Sequence, residues 1–226
     1  METTHTASSC AAIIVAAGSS QRMGFDKLSS LLGGVTVLKR TLDALLAAPS
    51  ISEVVVVCPA ERWELLGDGI LQKSVIRVDG GSTRQDSVAA GLAAVSPETG
   101  YVAVHDGARP FVSPRDIDRC VAAAREHRAA ALARRVTETL KHSDPQNFSS
   151  ASLSREHLWF METPQVFELA LLREAYASIT ARQETVTDEV SAMAAIKIPV
   201  KFVESTSPNL KITTPADLVL AAALLR

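Results

Sequence analysis

Aromatic side chains are scarce in this chain: Phe, Trp and Tyr together make up 4% of its 226 residues. That excludes a core built around large rings. With 47% hydrophobic residues, much of it Ala and Val, the interior must come from small aliphatic side chains packed between helices and sheet. Cysteine is rarer still. Cys10, Cys58 and Cys120 are scattered and odd in number, which gives neither a disulfide framework nor zinc-ligand spacing. They read as reduced, structural thiols of a cytoplasmic protein. Net charge is almost absent at −2, so nothing global draws the chain to nucleic acid or to an anionic membrane. Any anion binding must come from a local site. No segment approaches the roughly 20 apolar residues of a membrane span. The N-terminal METTHTASSC has no Lys or Arg and makes a poor signal peptide. Internal repeats, low-complexity tracts and long linkers are also missing, so residues 1–226 read as a single domain.

What is present is organised around Ala11 to Lys27, AAIIVAAGSSQRMGFDK. The apolar, β-branched run Ala11 to Val15 has the length and character of a buried strand. Side chains then shrink at Ala16-Ala17-Gly18, and two cations follow, Arg22 and Lys27, with Gly24 between them. Small residues let backbone approach a ligand, and free N–H groups with nearby cations hold a polyanion. The familiar glycine fingerprints do not match. A dinucleotide loop G-x-G-x-x-G needs its second glycine where Ser20 stands, followed here by Gln21, and a P-loop needs Lys directly after Gly24, where the residue is Phe25. On these residues alone, a phosphate-handling loop and a plain polar connection both stay open.

The first half of the chain alternates strand and helix. Strands are expected at Ala11–Val15, Glu53–Cys58, Val75–Val78 and Tyr101–His105, with helices at Thr36–Ala48 and Asp86–Val95. A further helix opens at Ser113-Pro114, with Ser as N-cap, Pro in the first turn and Asp116 at its positive end. Such alternation predicts a largely parallel, doubly wound α/β sheet whose ligand sits beyond the carboxyl ends of the strands. Polar residues cluster where that rule wants them: Gly18 to Lys27, Asp79 to Arg84, and Asp106 to Pro110. The alternation stops at Val136–Arg155, a polar stretch that is either a disordered insertion or an extended hairpin arm needing a partner surface. Beyond it, Thr163-Pro164-Gln165 reads as a turn and Val200–Val203 as a strand. Helices are expected at Glu168–Ser178, at Asp188–Ala195 and from the Thr214–Asp217 cap to Leu225.

A nucleoside triphosphate with Mg²⁺ suits these residues. Attack at phosphorus builds negative charge, and its catalysis is mostly positioning and cationic stabilisation. Arg22 and Lys27 supply charge, Asp106 is a candidate Mg²⁺ carboxylate, and Gly81, Ser82 and Ser87 can read base and ribose. His105 ends an apolar strand and reads as a packed core histidine rather than a general base. No Ser-His-Asp set or carboxylate pair is legible.

Taken in order, AAG-x(3)-RMG-x(2)-DK, DGG-x(2)-R-x(2)-S, HDGARP, T-x-T-x-K, TPQ-x-F, TDE-x-SA and NLKIT resemble the 2-C-methyl-D-erythritol 4-phosphate cytidylyltransferases, from about Ala11 to Leu225. The resemblance implies a Rossmann-like nucleotidyltransferase, three-layer α/β/α with a mostly parallel sheet. It implies a homodimer in which the 136–155 arm reaches the partner's active site. The implied reaction joins CTP and methylerythritol phosphate to give CDP-methylerythritol and pyrophosphate in non-mevalonate isoprenoid synthesis. Arg22 and Lys27 then match the pair stabilising the transition state, and Asp106 the Mg²⁺ carboxylate. Ala16, Ala17, Gly18, Gly81, Ser82, Arg84 and Ser87 match CTP-binding positions. Arg155 and Lys211 match the residues that hold the acceptor phosphate, and Thr139, Arg109 and Thr163 further acceptor-side positions. The attacking phosphate is already anionic, so no general base is required.

Three places depart from the family's common pattern. Asp26 stands where Pro often precedes the lysine, Glu138 replaces an Asp before Thr139, and Ala133-Arg134-Arg135 replaces a Pro-containing apolar segment. The alternatives are a ribitol-5-phosphate cytidylyltransferase and a non-catalytic nucleotide-binding module. LAGG and HDSVRP would favour the first of these, whereas this chain has Val15-Ala16-Ala17-Gly18 and HDGARP.

Overall fold

The structure is a computed structural model, and it describes residues 9–18, 24–67 and 73–225. Thus Arg22 and residues 1–8 of the N-terminal segment lie outside the described residues. The elements in chain order are β1 (Cys10–Val15), β2 (Leu31–Leu32), β3 (Val35–Thr36), α1 (Val37–Ala47), β4 (Ile51–Val57), α2 (Ala60–Glu64), β5 (Ser74–Val78), α3 (Arg84–Ala94) and β6 (Tyr101–Asp106). They continue with α4 (Pro114–His127), β7 (Ala129–Arg135), β8 (Leu140–Ser143), β9 (Ser149–Leu153), β10 (Trp159–Glu168), α5 (Leu169–Ala181), α6 (Glu189–Ala195), β11 (Lys201–Glu204) and α7 (Pro215–Ala223).

Seven strands form the central sheet in the order β11-β7-β10-β6-β1-β4-β5. Each neighbouring pair is parallel except the two made by β10, which runs antiparallel between β6 and β7. Apolar side chains alternate across this sheet into two cores. Cys10, Ala12 and Ile14 of β1 face α1 and α4 through Leu38, Leu42, Leu45, Ile117 and Val121. Ala11 and Ile13 face α3, α5 and α6 through Val88, Leu92, Leu172, Ile179 and Met193. Among the described residues the largest fully buried side chain is Phe167, and aliphatic residues fill nearly everything else, as the scarcity of rings requires. Several helices start at a capping side chain. Thr36, Ser113 and Thr214 each accept from the N–H three residues on, which satisfies an otherwise orphaned donor.

Register makes the site. Val15 pairs with Asp106 on one side and Val57 on the other, and Val57 pairs with Val78. The carboxyl ends of β1, β4, β5 and β6 therefore lie in one row, and the loops that follow them leave from a common rim.

One expectation needs correcting. Thr163-Pro164-Gln165 is no turn but the middle of β10, where pairing with β7 breaks between Met161 and Gln165. A proline, which has no N–H to give a ladder, is tolerated at such an irregularity. Of the two readings of the polar 136–155 stretch, the hairpin is the one that the structure takes. The stretch carries the β8–β9 hairpin, with Leu140 opposite Leu153, and Asp144 closes its tip by accepting from the N–H of Gln146 and Phe148. Residues 149–155 are all exposed.

Candidate active site

A cleft of about 690 Å³ opens at the rim. Ala16, Ala17, Gly18 and Lys27 line it from the loop after β1, and Gly81, Ser82, Arg84 and Ser87 from the loop and helix after β5. Asp106, Gly107 and Ala108 follow β6, and Lys211 and Thr213 come from the segment before α7. Charge on this lining is lopsided among the described residues: Lys27, Arg84 and Lys211 against the single carboxylate of Asp106. Such a surface, with small residues giving backbone access, suits a polyanion.

The loop after β5 approaches the loop after β1 too closely for side chains. A Cβ on Gly80 would fall 2.2 Å from the Cβ of Ala17, and one on Gly81 2.2 Å from the Cβ of Asp86. Ser87 ties this loop down, its Oγ accepting from the N–H of Gly81 at 3.2 Å and donating to the Thr83 carbonyl at 2.9 Å. Thr83 and Asp86 form a capping box on α3, so Arg84 leaves the first turn in a fixed direction.

Asp106 sits at the end of β6, 8% exposed, and Lys211 reaches its Oδ2 at 2.6 Å. Arg84 approaches Oδ1 at 3.4 Å, and the Arg109 Nε lies 3.9 Å from Oδ2. Burial by itself would push this carboxyl up, but Lys211, Arg84 and Arg109 outweigh it and hold Asp106 well below the usual carboxylate range. Arg84 in turn forks onto Glu189, at 2.7 and 2.9 Å, and Glu189, fully buried, also accepts from the Tyr176 hydroxyl at 3.0 Å. Burial opposes the charge on Arg84, and Glu189 and Asp106 more than restore it. Glu189 belongs to the TDE-x-SA motif, whose part in the architecture is to anchor Arg84.

Behind Asp106 lie residues that the sequence placed on the acceptor side. Thr163 accepts from the Asp106 N–H at 3.1 Å and meets His105 Nδ1 at 3.0 Å. Arg109 donates to the Asn209 carbonyl at 2.7 Å and to that of Met161 at 3.4 Å. Both are buried, and neither is among the residues lining the cleft. His105 is fully enclosed, and burial pushes its imidazole down to about 4, so it is neutral near pH 7.

Thr139 and Arg155 lie on the arm, exposed, and do not line the cleft of their own chain. Arg155 donates to the Thr137 carbonyl. At the arm's base the unusual arginines have aromatic partners: Arg134 stacks over Phe160 at 4.1 Å and Arg135 over Trp159 at 4.4 Å. Trp159 meets Phe202 of β11 edge-on at 5.9 Å, which ties the arm to the sheet.

One residue escaped the sequence reading altogether. Arg62, buried in α2, binds the carbonyls of Ala16 and Gly18 and the carboxylate of Asp26. The visible signal was Asp26 itself, an acid one residue before Lys27 in the loop after β1.

A family model described as 2-C-methyl-D-erythritol 4-phosphate cytidylyltransferase matches residues 10–226. The protein of that name from Pelotomaculum thermopropionicum is 40% identical over 226 aligned positions, covering 96% of this chain and 94% of the relative. The Prochlorococcus marinus protein of the same name is 40% identical, covering 94% and 96%. Among solved structures, 4-diphosphocytidyl-2C-methyl-D-erythritol synthase from Anaerococcus prevotii superimposes with a TM-score of 0.85 at 31% identity, covering 96% of each chain. The cytidylyltransferase from Thermus thermophilus gives 0.80 at 35%, covering 96% of this chain and 98% of that one.

Proposed function

The chain belongs to the 2-C-methyl-D-erythritol 4-phosphate cytidylyltransferase family, and from that membership we infer its reaction. It transfers the CMP moiety of CTP to 2-C-methyl-D-erythritol 4-phosphate, giving CDP-methylerythritol and pyrophosphate for non-mevalonate isoprenoid synthesis. The observation that carries the reading at the level of the site is the rim cleft. Three cations and one ionised carboxylate meet there beneath loops too small in side chain to obstruct a triphosphate.

In our reading the acceptor's phosphate oxygen attacks the α-phosphorus of CTP. A new P–O bond forms there, and the bond to the bridging oxygen breaks with its electron pair leaving on pyrophosphate. Lys27, with Arg22, opposes the charge that grows on the α-phosphate oxygens. The backbone of Ala16, Ala17 and Gly18 and the Gly81–Ser82 turn hold the nucleotide, with Arg84 and Ser87 fixing that turn. Lys211 binds the acceptor phosphate, and Arg109 and Thr163 orient Asp106 from behind. Arg155 and Thr139 act from the arm of a second subunit, so the working enzyme is a homodimer. No residue need remove a proton from the nucleophile, which accords with a neutral, enclosed His105.

Mg²⁺ fits the donor set in one way only. The described residues hold no cluster of three or more His, Cys, Asp or Glu that could cage an ion. Among the described residues Asp106 is the one carboxylate on the lining, and its Oδ1 takes long contacts from Arg84 at 3.4 and 3.5 Å. It would serve as single protein ligand to an ion held otherwise by triphosphate and water, as Mg²⁺ prefers. When bound, that ion neutralises triphosphate charge and polarises the phosphoryl group. We place the enzyme in the cytoplasm, in keeping with three buried free thiols and with no helix among the described residues long and apolar enough to cross a membrane.

Pyrophosphate release from CTP, measured with methylerythritol phosphate and ribitol phosphate in turn, tests the reading. Turnover is expected with the first. Turnover with ribitol phosphate alone would move the chain to that acceptor, and none with either would leave a nucleotide-binding module.

A further inference from the structure

Arg62 makes three kinds of contact with one loop, and none of them touches the sheet. Its Nη1 donates to the carbonyl of Ala16, its Nη2 to that of Gly18 at 2.9 Å, and its Nε to Asp26 Oδ2 at 2.7 Å. Ala16 and Gly18 are where the chain leaves β1, and Asp26 is where it returns, one residue before Lys27. Asp26 spends its remaining capacity on the same return segment. It accepts from the Leu28 N–H at 3.1 Å and the Ser29 hydroxyl at 2.5 Å, and its carbonyl accepts from the Ser30 hydroxyl at 3.0 Å. Burial would raise this carboxyl, but the bonds from Arg62 and Ser29 outweigh it and keep it ionised.

We propose that Arg62 and Asp26 form a latch that ties residues 16–18 and 26–27 to one guanidinium, so that Lys27 and the Ala17 N–H face the CTP triphosphate. Geometry gives the latch two effects. The Ala16 carbonyl points at Arg62, which is not among the residues lining the cleft. In a planar trans peptide the next N–H points opposite to the carbonyl, so the N–H of Ala17 is directed away from Arg62, where an anion can take it. Without Arg62 the oxygen of Ala16 is free to rotate into the cleft and present negative charge to a triphosphate. The second effect falls on Lys27. Its backbone follows directly on Asp26, whose carboxylate is fixed at both oxygens, so Lys27 starts from a rigid point. The latch gives this return segment its stiffness through a charge-assisted fork that lysine could not reproduce. Arg62 is thus a positioning residue, acting through the loop and never on the reacting atoms.

The inference rests on the cytidylyltransferase reading, and one set of variants separates the two. Asp26→Asn, Arg62→Met, Arg62→Lys and the double variant are assayed for pyrophosphate release while CTP and methylerythritol phosphate are varied independently, with melting temperatures alongside. Wild type without turnover sinks the reaction itself. Given an active wild type, Asp26→Asn is expected to lose about 10-fold, and Arg62→Met on the order of 100-fold, in kcat/KM for CTP. KM for the acceptor should be unchanged, Arg62→Lys should not rescue, and the double variant should be no worse than Arg62→Met. Should Arg62→Met fail to fold, Asp26→Asn and Arg62→Lys decide. Wild-type kcat/KM for CTP in Asp26→Asn would overturn the latch. So would losses that add in the double variant, or a defect falling equally on the acceptor's KM.

Discussion

At the cleft, a single residue's worth depends on what its removal strands. Arg84 is a poor probe of chemistry, because its loss strips the fully buried Glu189 of its cation partner, and breaking such a pair costs about 3–5 kcal/mol. Lys27 is a better one, since it lies half-exposed on the lining. Lys27→Ala is predicted to lower kcat on the order of 10²–10³-fold, the usual cost of removing one group aimed at developing charge. Its melting temperature should stay near wild type, and a collapsed melt would make Lys27 a structural residue. His105 offers the opposite test. An imidazole pushed down to about 4 by burial changes no charge near neutrality and is a weak base there. The rise in kcat/KM for the acceptor should follow the acceptor's own second phosphate ionisation, near about 6, being low where the monoanion dominates and flat above. His105→Gln should keep that midpoint in initial rates measured between about pH 5 and 8. A midpoint displaced by the substitution would return His105 to the mechanism.

Among elements, the loops matter by how nearly they touch. Gly80 admits no Cβ, since Ala17 would lie 2.2 Å from it and the Ser87 hydroxyl 2.9 Å. Gly80→Ala must therefore push the loop after β5 off the loop after β1. It is predicted to cost about 1–3 kcal/mol of stability as overpacking does, and to raise the dissociation constant for CTP in calorimetry. An unchanged constant would mean that the two loops do not jointly hold the nucleotide. These loops were visible in the chain's own alphabet. β-branched runs marked β1, β4 and β6, an apolar stripe marked α1, caps marked α4 and α7, and small or charged residues after the strands marked the rim. What stayed hidden had physical reasons. β7 begins Ala129-Ala130-Ala131, helix-favouring residues made strand by their place between β10 and β11. β10 concealed itself behind Thr163-Pro164, which signals a turn unless a register break accommodates the proline. Arg62 lay in a five-residue helix with nothing local to distinguish it, and its meaning appears only when Asp26 is folded beside it.

For the molecule as a whole, the arm poses the decisive question. A two-stranded hairpin with all of β9 exposed has little reason to hold its shape in water. Yet stacked arginines and Trp159 brace its base firmly on the sheet. A braced root under an uncovered hairpin suits an element completed by a second copy, and Arg155 and Thr139 travel on it away from their own cleft's lining. If the arm serves the partner, each active site takes Lys27 from one subunit and Arg155 from the other. Lys27→Ala and Arg155→Ala should each be nearly inactive alone. Mixed, dissociated and reassociated at equal concentration, they should form heterodimers in which one site inherits both defects and the other inherits neither. Half the dimers would then carry one intact site of two, and about one quarter of wild-type pyrophosphate release should return. An arm folded onto its own subunit would leave every site of every heterodimer with one lesion, and activity would stay at the level of the parents.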